Sequence, residues 1–386
     1  MVIQSSNQQI INHKNQQKTM KKYMKLLACL LAGVFVFTAC DDDDPVVHYR
    51  EVAVSDGLFI VNEGSYFSQV NGSLDYLDYA TGKVHRNVFS AANGRSLGGT
   101  PNNAVLCGSK LYIATQEENR VEVVDAKTMK AFEPISVTAP RELCTDGEAV
   151  YVSSYTGEVS KVDTLTLKVT AKSAKVGANL EGIACRQGYV YVCNAWENLG
   201  NYQYAYYTNL VKLSAQNLQK VKDVTVVANP NQLIASGDDL YLASWGDYSP
   251  SAPATIQHIS LDDQVTTLAL ATYMALGKDK LYLISSSYDE QWNEVNAYQS
   301  YDLKTGETKT FVDGKDISSP CAIGVDPVTD DVFISSRQSF ANPNDAYVND
   351  GYVVRYRADG SKVGTYNCGV NPGTLVFVGH NERVAE

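Results

Sequence analysis

Residues that could do chemistry are unevenly placed along this chain. Beyond residue 39 the histidines are His48, His85, His258 and His380. His258 sits mid-strand in IQHIS, His85 follows a turn, and none stands in a long loop, so the pattern gives little support to His-based acid–base catalysis. No Cys/His spacing matches a zinc site. Glu63, Glu142, Glu181 and Asn179 could supply oxygen ligands to calcium, or equally serve as hydrogen-bonded side chains. The aromatic residues are more telling. Trp196, Trp245 and Trp292 each lie in a polar loop just after a Tyr-containing apolar strand, in YVYVCNAW, LYLASW and LYLISSSYDEQW. Tyr66, Phe67, Tyr155, Tyr202, Tyr204, Tyr248, Tyr288, Phe340 and Tyr347 occupy the same class of loop, interleaved with Asn, Gln, Ser and Asp. Tyr and Trp set among short polar residues make a rigid, amphipathic contact surface. The expectation is a binder, with no catalytic residue, catalytic cofactor or metal site.

Such loops can share one face only if the chain repeats, and it does. An apolar strand, a Gly/Asp turn and a second strand recur at 102–115, 141–154, 180–194, 231–244, 272–286 and 320–336. A second unit of strand, polar turn and strand recurs at 72–84, 119–131, 157–169, 209–221, 255–268, 296–311 and 351–363. The second unit thus outnumbers the first by one. The missing first unit is split between GLFIVNEG (57–64) and NPGTLVFVG (371–379). Pairing those ends predicts an all-β, seven-bladed β-propeller closed by its N- and C-terminal strands, with no free edge at the seam. The loops after each second strand then share a face with the blade-to-blade segments. Those segments bring Arg95, Arg141, Glu142, Asn179, Glu181, Asn229, Asn231 and Asn371 toward the central channel. Arg95, Arg141 and Asn179 join the aromatics as predicted ligand-binding residues. Asn-Pro and Ala-Pro in these segments also have a plain reading as turns.

Three segments follow from composition. Residues 1–39 hold Lys21, Lys22 and Lys25 before LLACLLAGVFVF (26–37), a run too short to span a bilayer, which reads as upstream residues and a signal peptide. Phe37-Thr38-Ala39-Cys40 is a loose lipobox, with Cys40 the lipidation site. Residues 40–55, opening on Asp41 to Asp44, form an acidic tether, and 56–386 form the propeller. The lysines before Cys40 face no acid, so the remainder is more negative than the chain's net −11, which argues against nucleic acid as a partner. Cys185 and Cys193 flank one tight turn and could pair; the sequence leaves this open.

From Gly57 to Gly379 the chain resembles the YVTN-type, surface-layer-like propellers of Bacteroidetes. The resemblance rests on VNEGSYFSQVNGSLDYLD (61–78), VFSAANGRSLGG (88–99), LYIATQEENRVEVVDAKT (111–128) and the repeated second units. With the acidic lipoprotein start, it is most similar to the BtuG-type lipoproteins. That resemblance implies an outer-membrane, surface-exposed lipoprotein that binds cobalamin and passes it to a TonB-dependent transporter of the BtuB type. A glycan-binding surface lipoprotein, a propeller lactonase or lyase, and a structural or adhesive protein are the competing expectations.

Overall fold

The repeated second strand, LFIVN, LYIAT, VYVSS, VYVCN, LYLAS, LYLIS and VFISS, is apolar on both faces, so it must be covered on both sides. The computed structural model describes residues 48–291, 294–340 and 342–385, without the side chains of Tyr288 and Pro343. It contains seven four-stranded antiparallel sheets. The inner strands of blades 2 to 7 are Pro101–Cys107, Pro140–Thr145, Asn179–Arg186, Pro230–Ser236, Tyr273–Leu276 and Ser319–Val325. In blade 1 the C-terminal strand Pro372–Ala385 lies beside Tyr49–Asn62, followed outward by Ser73–Asp78 and Lys83–His85. This is the split blade expected from the repeat count. The second strand begins at Tyr49, upstream of the expected start at 57, so residues assigned to the tether continue the sheet.

Period-two alternation explains how neighbouring blades stick together. Phe59, Tyr112, Tyr151, Tyr191, Tyr241, Tyr282 and Phe333 occupy one repeat position, and each faces the next blade; all are at most 7% exposed. Their neighbours in sequence, such as Leu111 and Ile113 beside Tyr112, face the previous blade. Seven apolar clusters result, and each joins one blade to the next. The seventh packs Phe333 and Val353 of blade 7 against Leu58 and Ile60 of blade 1, which closes the ring. Burying each of these rings contributes on the order of 1.5–3 kcal/mol.

Two departures from the expected pattern shape the face. Segment 194–208, read from sequence as a polar loop, is largely a β-ribbon: blade 4's strands Tyr189–Gly200 and Gln203–Ser214 each run 12 residues, twice the length of Asp239–Ser244 in blade 5. Its tip is Asn201-Tyr202, both in the left-handed region at φ 50° and 60°, as a type I′ hairpin turn requires. Alternating tyrosines suit a strand as well as a loop, and the turn signal is what converts them. The second departure is a short helix, Val88–Asn93, which follows the three-residue outer strand of blade 1 and buries Phe89.

Candidate functional site: the mouth of the central channel

In four inner strands a proline stands at or next to the start: Pro101, Pro140 and Pro230 open theirs, where a missing N–H is tolerated, and Pro320 follows Ser319 in Ser319–Val325. In each, the pairing register slips just after it: between Pro101 and Asn103, Pro140 and Leu143, Pro230 and Gln232, and Pro320 and Ala322. Blade 4 slips between Leu180 and Ile183. A bulge re-aims the unpaired residue. Here it turns Asn102, Arg141, Glu142, Asn231 and Cys321 to the wall of a central cavity of about 460 Å³, and Glu181 to its Arg141. The rest of the wall includes Glu63 and Trp245, each directly after a second strand, and Arg337, the last residue of one, with Tyr273, Asn371 and Thr374. All seven blades contribute.

Glu181 organises one side of the mouth. Its carboxylate is buried and accepts from Arg141 Nε at 2.6 Å, Tyr155 OH at 2.6 Å and Trp196 Nε1 at 3.1 Å. Arg141 also donates to Asn102 Oδ1 and lies over the Tyr155 ring. Tyr155 meets Trp196 edge-on at 5.8 Å, and Trp196 meets Tyr204 at 6.0 Å. Burial works against the Arg141 charge, yet Glu181 and its neighbours outweigh it and raise the guanidinium's pKa. Burial, then Glu181, raises the Tyr155 hydroxyl. Glu63 and Glu142 line the same cavity. Burial pushes both carboxyls up, Glu142 to about 7, against the opposing pull of Arg141.

The opposite side is built on Arg337 and Trp245. Arg337 donates to Asn371 Oδ1 at 3.2 Å and Ser319 Oγ at 2.8 Å, and its guanidinium lies over Tyr347 at 5.0 Å. Trp245 Nε1 donates to Thr272 O at 3.2 Å, and its ring meets Tyr273 edge-on at 6.0 Å. Burial lifts the Tyr273 hydroxyl to about 12.

The predicted residues therefore divide. Arg141, Tyr155, Trp196, Tyr204, Trp245 and Tyr347 converge around the channel mouth. Asn179 opens its strand opposite Trp196 in the register. Tyr248 packs on Tyr206 farther out, over blades 4 and 5. Tyr202 is 97% exposed at the ribbon tip. Tyr66 and Phe67 touch each other in a separate hollow with Gly99 and Glu117. Phe340 is half-buried. The Tyr288 side chain, Trp292 and Cys40 lie outside the described residues. Arg95 corrects the sequence expectation: it pairs with buried Glu122 at 2.7 Å and lies over Phe89, on the flank between blades 1 and 2. The short helix carries the chain outward there, so the connection misses the channel.

Arg337, Tyr273 and Asn102 went unpredicted, and two signals would have found Arg337 and Asn102. One is the fourth position after the repeated Tyr or Phe, which reads Glu63, Gln116, Tyr155, Ala195, Trp245, Ser286 and Arg337. The other is the residue after a strand-opening proline. Glu181 is committed to three donors, and among the described residues no group of three or more His, Cys, Asp and Glu is arranged to hold a metal ion.

A family model matches residues 56–378, a span that reaches every blade. The chain belongs to the DUF5074 family, a domain of unknown function. No curated protein matches it in sequence. Among solved structures, a quinonprotein alcohol dehydrogenase-like protein from Bacteroides thetaiotaomicron is similar at TM-score 0.62 and 15% identity, covering 84% of this chain and 79% of that one. The hydrazine synthase of Kuenenia stuttgartiensis is similar at 0.57 and 15%, covering 74% and 95%. Apo AztD from Citrobacter koseri is similar at 0.50 and 12%, covering 87% and 99%. At these identities the likeness is one of fold alone.

Proposed function

We propose that this protein is a non-enzymatic surface lipoprotein that captures cobalamin at the channel mouth and passes it to a TonB-dependent outer-membrane transporter of the BtuB type. The observation that carries a binding role is the Glu181 network, which locks Arg141, Tyr155 and Trp196 before any ligand arrives. Preorganised aromatics lose little entropy on binding, whereas flexible ones spend much of their contact energy on being ordered. Cobalamin as the ligand rests on the resemblance of the sequence motifs. The face suits it chemically: Asn102, Asn231 and Asn371 can meet amide edges, and Trp and Tyr can cover an apolar macrocycle. Anchorage through Cys40 would hold the ring over a transporter.

Calorimetry of the purified protein with cyanocobalamin tests the reading. Micromolar or tighter binding is expected. An aromatic anchor buried by ligand contributes ~1.5–3 kcal/mol, so Trp245→Ala and Trp196→Ala should each weaken binding by roughly tenfold or more. No binding at micromolar concentrations removes cobalamin as the ligand. Parent-like affinity in both variants means the site lies elsewhere.

A further inference from the structure

We propose that Cys144 and Cys185 are the two halves of a disulfide that staples blade 3 to blade 4. Cys144 lies in the inner strand Pro140–Thr145 and Cys185 in its neighbour Asn179–Arg186. Their sulfurs stand 2.9 Å apart, inside the separation at which unbonded sulfurs pack, and a small rotation of each side chain reaches the ~2.05 Å bond. Both belong to the cluster that joins these two blades.

The other described cysteines are directed elsewhere. Cys193 points to the opposite side of its sheet and packs against blade 5, so the turn it shares with Cys185 does not bring the two sulfurs together. The sulfur of Cys107 accepts from Thr145 Oγ1 at 3.2 Å and lies 3.6 Å from Gly147 O. Cys321 stands at the channel wall, and Cys368 is buried in the cluster joining blades 7 and 1.

Closure needs an external disulfide as oxidant, either a small molecule such as glutathione disulfide or a thiol–disulfide exchange protein. Cys185, half-buried where Cys144 is buried, attacks one sulfur of that oxidant as its thiolate and releases the first reduced thiol. Cys144 then loses its proton and attacks Cys185 Sγ, forming the Cys144–Cys185 bond and releasing the second reduced thiol. The protein gives up two electrons and two protons, and the oxidant leaves as two thiols. Burial raises the Cys144 thiol pKa, so this second step quickens with pH. The same two strands carry Arg141 and Glu181 at the channel mouth, so the staple holds the spacing that their ion pair spans.

The full-length protein, reduced and then equilibrated with glutathione disulfide, is alkylated under denaturing conditions and mapped by mass spectrometry. One crosslinked peptide pair containing Cys144 and Cys185 is expected, with the remaining cysteines alkylated. The oxidised form should melt roughly 5 °C above the reduced form. That difference should vanish in Cys144→Ser and persist in Cys193→Ser. Full alkylation of both cysteines after oxidation, or a link from Cys185 to Cys193, overturns the proposal. The peptide map of the parent protein decides even if a variant folds poorly, and it is independent of any ligand.

Discussion

Glu181→Gln is the sharpest probe of the channel mouth, because the carboxylate's two oxygens serve different partners. Tyr155 and Trp196 both donate to Oε1, whereas Arg141 donates to Oε2. A glutamine can keep its oxygen under Tyr155 and Trp196, but its amide nitrogen then faces the Arg141 guanidinium, donor against donor. The aromatic arrangement survives while Arg141 loses its counter-ion, with Asn102 left as a neutral partner. Removing one member of a buried pair costs about 3–5 kcal/mol. Arg141 is 23% exposed at the mouth, where water takes up part of its charge, so the lower end, ~3 kcal/mol, is expected. For a domain of this size that is roughly a 4 °C drop in Tm by differential scanning calorimetry. Adding Arg141→Met removes the stranded charge, so the double variant should recover part of the loss, with a coupling of about 1–3 kcal/mol. A drop under 1 °C in Glu181→Gln, or strictly additive losses in the pair, would refute the account of Glu181 as the centre of the network.

Three other outcomes follow from the packing. At Gly182 a Cβ would stand 2.3 Å from Asn231 O, a backbone atom of the next inner strand, so Gly182→Ala should cost about 1–3 kcal/mol; an unchanged melting curve contradicts this. Glu142 titrates near 7 in the folded protein and near 4.5 unfolded, chiefly through burial. The folded state therefore holds the proton more tightly: its benefit is complete below about pH 4.5 and is lost as pH rises through 7. Glu142→Gln should accordingly gain on the parent by on the order of 1–3 kcal/mol between pH 4.5 and 8 in denaturant titrations, and parallel pH profiles would count against it. Deleting residues from Asn371 onward removes the inner strand of blade 1 and exposes Leu58, Ile60 and Phe59, so cooperative thermal unfolding by circular dichroism should disappear.

Much of the architecture is local in origin and so readable. The alternation in LYIATQ or VYVSSY specifies a strand with two apolar faces, and the split of GLFIVNEG from NPGTLVFVG specifies where the ring closes. The face was legible too, since every loop after a second strand must emerge on one side. Aromatic content was a weaker guide to the centre of that face. It pointed to Tyr155, Trp196 and Trp245, which stand at the channel mouth, but it also drew in Tyr66, Phe67 and Tyr202, which sit away from the channel, and it passed over Arg337.

The sequence by itself determined the blades, their number and the side on which the long loops lie, because strand periodicity and turn chemistry act over neighbouring residues. Tertiary structure alone decided which polar residues meet. A one-residue bulge after each strand-opening proline turns Asn102, Arg141 or Asn231 inward, and a short helix carries Arg95 out to Glu122. Glu181 finds Tyr155 and Arg141 only because the interblade cluster sets the distance between two inner strands. That distance depends on the packing of side chains remote in sequence, which no local pattern records.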